Sequence, residues 1–181
     1  MKKAIFLDSD GVLNTAIIKD GKPLAPTTLA ELEIPAEVKP ALEQLKAANY
    51  LLICVTNKPD IERGLMTQAV VNAIYAKICA ELPLDDVFIC YTENSDCYKP
   101  KPGLLLEAAK KYNIDLAQSF MIGDRWRDIG AGQNAGCKTV WLDRGYTNDP
   151  VPNPPADHTA HSLAEAAQWI LSKGENTKAL L

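Results

Sequence analysis

Five short apolar runs constrain this chain more than any other feature: Lys3-Ala4-Ile5-Phe6-Leu7, Tyr50 to Val55, Val87 to Cys90, Phe120 to Ile122 and Thr139 to Leu142. Each is continuous instead of alternating, as expected of a strand covered on both faces. Between and after them lie stretches with helical period: Ala36 to Ala48, Ile61 to Leu82, Gly103 to Tyr112, Asp128 to Ala135, and Leu163 to Ser172. Ser162-Leu163-Ala164-Glu165 opens the last with a capping box. Strands that alternate with helices need right-handed crossovers, so the pattern predicts an α/β fold, a Rossmann-like, doubly wound parallel sheet with helices on both faces. The 181 residues suit a single domain over 1–181, long enough to build a full core without a metal or disulfide staple.

Lys and Arg total 19 against 23 Asp and Glu, a net charge of −4, which supplies no general attraction for nucleic acid or for an anionic membrane. The apolar run after Met1-Lys2-Lys3 stops at Asp8, too soon for a secretion signal. No run approaches the roughly eighteen apolar residues of a membrane span. A cytoplasmic protein is expected. Its five cysteines, Cys54, Cys79, Cys90, Cys97 and Cys137, are odd in number and irregularly spaced, unlike a secreted disulfide framework. Cys54 and Cys137 read as reduced core residues.

In a doubly wound sheet, ligands bind beyond the carboxyl ends of the strands. The first run ends at Asp8-Ser9-Asp10-Gly11, the second at Thr56-Asn57 and the fourth at Gly123-Asp124, while Lys99-Pro100-Lys101-Pro102 follows the third. Singly, Asp or Gly after a strand is ordinary turn chemistry. Together, three carboxylates, a hydroxyl and a lysine on one crevice suit phosphoryl transfer, because a hard divalent cation wants oxygen ligands and a phosphate wants cations and hydroxyl donors. Lys101 reads as a solvated loop charge, His158 and His161 as structural or solvated, and Trp126, Trp141 and Trp169 as packing anchors.

These residues, in this order, resemble the haloacid dehalogenase (HAD) superfamily: Asp8-Ser9-Asp10-Gly11 as its first motif, Thr56 as its second, Lys99 as its third and Gly123-Asp124 with Asp128 as its fourth. Within the superfamily, Thr56-Asn57-Lys58-Pro59-Asp60-Ile61-Glu62-Arg63-Gly64 is similar to the Thr-Asn-Gln-x-x-x-x-Arg-Gly of the heptose-bisphosphate and histidinol-phosphate phosphatase branch. The resemblance implies an Mg2+-dependent phosphomonoesterase. Asp8 would be the nucleophile, passing through an aspartyl-phosphate, and Asp10 the acid and base. Thr56 and Lys99 would hold phosphate oxygens. Asp8, the Asp10 carbonyl and Asp124 would hold the cation, with Asp128 outside them or acting through water.

Two departures from the branch bear on its other properties. Where relatives carry a zinc loop of the form Cys-x-His and then Cys-x-Cys-Arg-Lys-Pro, this chain has Cys90-Tyr91-Thr92-Glu93-Asn94-Ser95-Asp96-Cys97-Tyr98-Lys99-Pro100. Two of four ligands remain, so no structural zinc is expected. Tyr98 also stands where relatives place an arginine that grips the substrate, and Ser9 and Val12 replace the usual Arg and Thr. Neither the Asp10–Thr56 nor the Thr56–Lys99 interval is long enough for a cap domain. The cleft should therefore be open, with substrate contacts from Asn57, Arg63 and Tyr98 at its rim, and Arg63 is expected to bind a second anionic group. The substrate expected is a small phosphorylated metabolite, a heptose bisphosphate first and histidinol phosphate second, acted on by a monomer. A polynucleotide phosphatase would need a basic stripe, and a non-catalytic binding module would have lost a nucleophile or metal carboxylate.

Overall fold

The computed structural model describes residues 1–178, so the last three positions of the expected 1–181 domain lie outside the described residues. Strand β1 (Lys3–Leu7) leads into a short antiparallel hairpin, β2 (Ile17–Lys19) and β3 (Lys22–Leu24). There follow α1 (Val38–Ala47), β4 (Tyr50–Asn57), α2 (Gln68–Glu81), β5 (Asp86–Cys90), α3 (Gly103–Tyr112) and β6 (Phe120–Gly123). The chain continues with α4 (Trp126–Ala135), β7 (Lys138–Leu142), β8 (His158–Ala160) and α5 (Leu163–Lys178). Six strands form one parallel sheet in the order β5-β4-β1-β6-β7-β8. The chain winds outward from β1 through β4 to β5, then returns to the other side of β1 for β6. That reversal opens a crevice above the carboxyl ends of β1 and β6.

Side-chain alternation along the strands divides the core into two layers. Ile5, Leu7, Leu52, Cys54 and Ile122 face Leu42 and Leu45 of α1, Ile74 and Ile78 of α2, and Leu163 and Ile170 of α5. Ala4, Phe6, Ile53, Val55 and Met121 face Leu104, Leu105 and Ala108 of α3 and Ala131 and Ala135 of α4. Both faces are buried, which is why the strands read as unbroken apolar runs. Cys54 and Cys137 are free and buried.

Several boundaries differ from the sequence reading. The helix expected from Ile61 begins only at Gln68, because Leu65 and Met66 both donate to the Asp60 carbonyl, Gly64 takes a left-handed φ of 71°, and the Thr67 side chain caps Val70 N–H. The fourth helix starts two residues early, at Trp126, where the Asp128 carboxylate accepts the Arg125 N–H at 3.0 Å. Strand β4 runs on to Asn57, so Thr56 and Asn57 belong to the strand itself. Strand β8 was not apparent in the sequence: three residues show no period, and pairing with β7 creates it. Its His158 stacks on Trp169 at 4.6 Å, a structural role.

Candidate active site

The β1–β6 ladder carries Asp8 into the crevice. Asp8 N–H donates to the Ile122 carbonyl at 3.1 Å, one residue beyond the paired strands, which sets Asp8 level with the end of β6 and next to Asp124. The chain then turns sharply: Leu13 N–H donates to Ser9 C=O at 2.8 Å and Gly11 N–H to Asn14 C=O at 2.7 Å. Gly11 has φ 86°, and a Cβ there would overlap the Asp124 carboxylate and the Tyr146 hydroxyl. Glycine is thus needed both for the turn and for the close approach of two strand ends. At Gly123 a Cβ would overlap Asp128, so the fourth motif is equally tight.

Lys99 is the hub of the floor. Its ammonium donates to Asp8 Oδ1 at 2.7 Å, Asp128 Oδ1 at 2.6 Å and the Val55 carbonyl at 2.9 Å, using all three of its protons. The side chain is only 2% exposed. Its backbone is fixed by Asn57, whose amide accepts from Lys99 N–H at 3.1 Å and donates to Lys99 C=O at 3.2 Å. Asn57 lines the cleft, yet its amide is committed to positioning the lysine, where the sequence suggested a substrate contact. Burial pushes the Lys99 pKa down, and the Asp128 and Asp8 carboxylates more than reverse this, so the ammonium stays charged.

Burial, with Asp128 beside it and Lys99 opposing, raises the Asp8 pKa to about 6. The Asp124 carboxyl is also raised, by burial and then by Asp8 and Asp128. Asp8, Asp124 and Asp128 each offer an oxygen within 4.8 Å of the others. Asp124 Oδ2 accepts the Tyr146 hydroxyl at 2.5 Å, while Asp124 Oδ1 is buried without a hydrogen-bond partner among the described residues. A buried orphan oxygen among three carboxylates fits a hard divalent cation such as Mg2+. Asp128 lies beside the other two carboxylates, with its oxygens accepting hydrogen bonds from the Lys99 ammonium and the Arg125 N–H.

Asp10 faces another way. Its carboxylate accepts from Asn14 Nδ2 at 3.0 Å and is ion-paired with Lys58, a lysine 2% exposed that lies over the Tyr75 ring. Burial alone would lower the Lys58 pKa, but Asp10 holds it well above the usual lysine value. Lys58 went unnoticed in the sequence as a site residue, though it is where this chain departs from the branch's Thr-Asn-Gln wording. Tyr146 was missed too. It sits four residues past β7, on the carboxyl edge where strand-end logic would look.

Around this floor the cleft is lined by Thr56, Asp60, Arg63, Tyr98, Arg125 and Arg127, with Pro23, Leu24 and Ala25 of the hairpin region forming one wall. Among the described residues, no larger element lines it. Arg63 reaches the rim as expected, but its guanidinium is ion-paired with Glu93 and lies 3.9 Å from Asp60. Arg125 is ion-paired with Asp149. In the loop before Lys99, Cys90 and Cys97 are joined in a disulfide, a pairing the sequence reading did not foresee. The Ser95 hydroxyl lies 3.1 Å and 2.9 Å from the two sulfurs.

Residues 96–166 match the HAD-hydrolase-like family model. The D-glycero-beta-D-manno-heptose-1,7-bisphosphate 7-phosphatase of Pasteurella multocida is 35% identical over 94% of this chain and 97% of its own. The protein of that name from Helicobacter pylori J99 is 34% identical over 93% of this chain and 97% of its own. Among solved structures, the D,D-heptose 1,7-bisphosphate phosphatase of Bordetella bronchiseptica, complexed with magnesium and phosphate, superposes with a TM-score of 0.78 at 27% identity, covering 94% of this chain and 99% of that one. Similarity sustained along nearly the whole of both chains makes this protein a member of the HAD-like phosphatase family, an enzyme that hydrolyses phosphoric monoesters.

Proposed function

We propose that the protein removes one phosphate from a sugar bisphosphate of the heptose 1,7-bisphosphate type, with Mg2+ and through a phosphorylated Asp8. The observation that carries this is the convergence of a buried carboxylate, Asp8, with Lys99 and two further carboxylates on an open cleft, in a chain whose relatives are named for that substrate. Asp8, Asp124 and the Asp10 carbonyl would hold Mg2+, with Asp128 outside them or acting through water, and the bound cation would offset the repulsion between the Asp8 carboxylate and a phosphate dianion. Thr56 would hold a phosphate oxygen, and Lys99 would do so by exchanging its hydrogen bond to Asp8 for one to the phosphate as Asp8 engages phosphorus.

In the first step an Asp8 oxygen bonds to phosphorus as the bond from phosphorus to the sugar oxygen breaks, and Asp10 gives that oxygen its proton. In the second, Asp10 takes a proton from water, the water oxygen attacks phosphorus, and the bond to Asp8 breaks to release inorganic phosphate. Lys58 and Asn14 hold the Asp10 carboxylate in place, which supports its role as the acid and base. The protein is taken to act as a single-domain monomer. Phosphate release from D-glycero-β-D-manno-heptose 1,7-bisphosphate, histidinol phosphate and a 5′-phosphorylated oligonucleotide, with and without Mg2+, tests the reading. The heptose bisphosphate should be preferred and chelator should abolish turnover. Preference for histidinol phosphate, or turnover indifferent to chelator, would refute it.

A further inference from the structure

Four cationic side chains line the cleft: Arg63, Lys99, Arg125 and Arg127. Lys99 is paired with Asp8 and Asp128, Arg125 with Asp149, and Arg63 with Glu93. Among the described residues, Arg127 alone of the four has no carboxylate partner. Its guanidinium lies over two aromatic rings instead, 5.8 Å from the centre of Tyr98 and 5.2 Å from the centre of Trp126. An arginine held against ring faces keeps the N–H edge of its fork available, and it need not give up an ion pair to bind an anion.

The position of Arg127 is as constrained as its pairing. It lies in the first turn of α4, immediately before Asp128, whose carboxylate is locked to Lys99 and to the Arg125 N–H. The turn that sets the cleft floor therefore also sets where Arg127 begins. Tyr98 immediately precedes Lys99 and is half-buried. It stands where the resembled branch has an arginine, and a phenol cannot form a two-pronged contact with phosphate. In this chain the tyrosine carries an arginine contributed by another element.

We infer that Arg127, seated over the Tyr98 and Trp126 rings, binds the second, non-reacting phosphate of a sugar bisphosphate and so sets the enzyme's preference for two phosphates over one. This rests on the sugar-bisphosphate reading above. Arg63, half-exposed and already paired with Glu93, does not compete for that role.

The test is the ratio of kcat/KM for heptose 1,7-bisphosphate to that for heptose 7-phosphate, measured with Mg2+ on the full chain. Arg127→Ala should lower this ratio by about 10- to 100-fold, the change lying mainly in KM. Arg127→Lys and Tyr98→Leu, which keep a charge or an apolar contact, should each lower it by roughly 3- to 10-fold. Wild-type ratios in all three variants would overturn the role of Arg127 while leaving the sugar-bisphosphate reading in place. A ratio near one in the unmodified enzyme would defeat that reading and the inference together.

Discussion

On the floor of the cleft, Asp8, Lys99, Asp124 and Asp128 are all buried, and two of the three carboxylates share the Lys99 ammonium; at the rim, Arg63, Tyr98 and Arg127 are partly or fully exposed and lean on loops or ring faces. Asp8 and Asp124 follow strand ends, Asp128 sits in the first turn of α4, and Lys99, in a loop, is held by the Asn57 amide at the end of β4. Of the rim residues, Arg63 and Tyr98 hang from loops, while Arg127 extends from the first turn of α4. The contrast implies a division of labour: changes to the floor should affect every substrate alike, and changes to the rim should alter only the choice among substrates.

The largest expected effect is at the floor. Asp8→Asn should lower kcat by at least about 10,000-fold on sugar phosphates and aryl phosphates equally, because an amide neither attacks phosphorus nor ligates a cation well. Turnover close to wild type, or loss confined to one substrate, would break the comparison at its strongest point. Lys58→Met addresses the boundary between the regions, since Lys58 is buried, lies over the Tyr75 ring and pairs its ammonium with the acid/base carboxylate. It should cost about 10- to 100-fold on an alkyl phosphate, whose leaving oxygen needs a proton, and markedly less on a p-nitrophenyl ester, which leaves without one. Equal losses on both would make Lys58 merely structural.

Tyr146→Phe should sharpen the picture of the floor by removing the 2.5 Å hydrogen bond to Asp124 without emptying the space. We expect Mg2+ affinity, read by calorimetry, to weaken by about 10-fold, as for other partners of ligating carboxylates. Unchanged affinity would show that the phenol does not orient Asp124.

The smallest effect is on stability. The Asp8 pKa is raised from 3.8 to about 6 in the fold, and Asp124 is raised as well. A raised pKa favours the folded state fully below the unfolded value, and that contribution is lost as pH rises through about 6. The metal-free protein therefore carries a penalty at neutral pH that a divalent cation relieves. Saturating Mg2+ should raise the Tm by roughly 2–5 °C more at pH 7.5 than at pH 5. An equal or reversed shift would mean that the carboxylate cluster is not the cation site.

The floor was legible in the sequence because it is local. Asp8, Thr56 and Asp124 each follow directly from an apolar run, and a buried parallel strand announces itself through composition alone. The helix expected from Ile61 was misplaced because Gly64 and the Thr67 cap, both local signals, were outweighed by the apolar residues around them. The hairpin and β8 were not legible: three-residue strands carry no period, and only their partners make them strands.

What the sequence determined by itself was the α/β order, the two-layer core and the strand-end carboxylates, since each follows from spacing within one segment. What only the tertiary structure decided were pairings between segments far apart in the chain: Lys58 with Asp10 across 48 residues, Tyr146 with Asp124 across 22, Asn57 with the Lys99 backbone across 42, and Arg127 with Tyr98. A charge in a sequence does not reveal whether it is solvated, paired or poised for a ligand. That depends on which other segments the sheet brings within a few ångströms, and among the described residues lining the cleft it separates three cations paired with carboxylates from Arg127, which lies on ring faces.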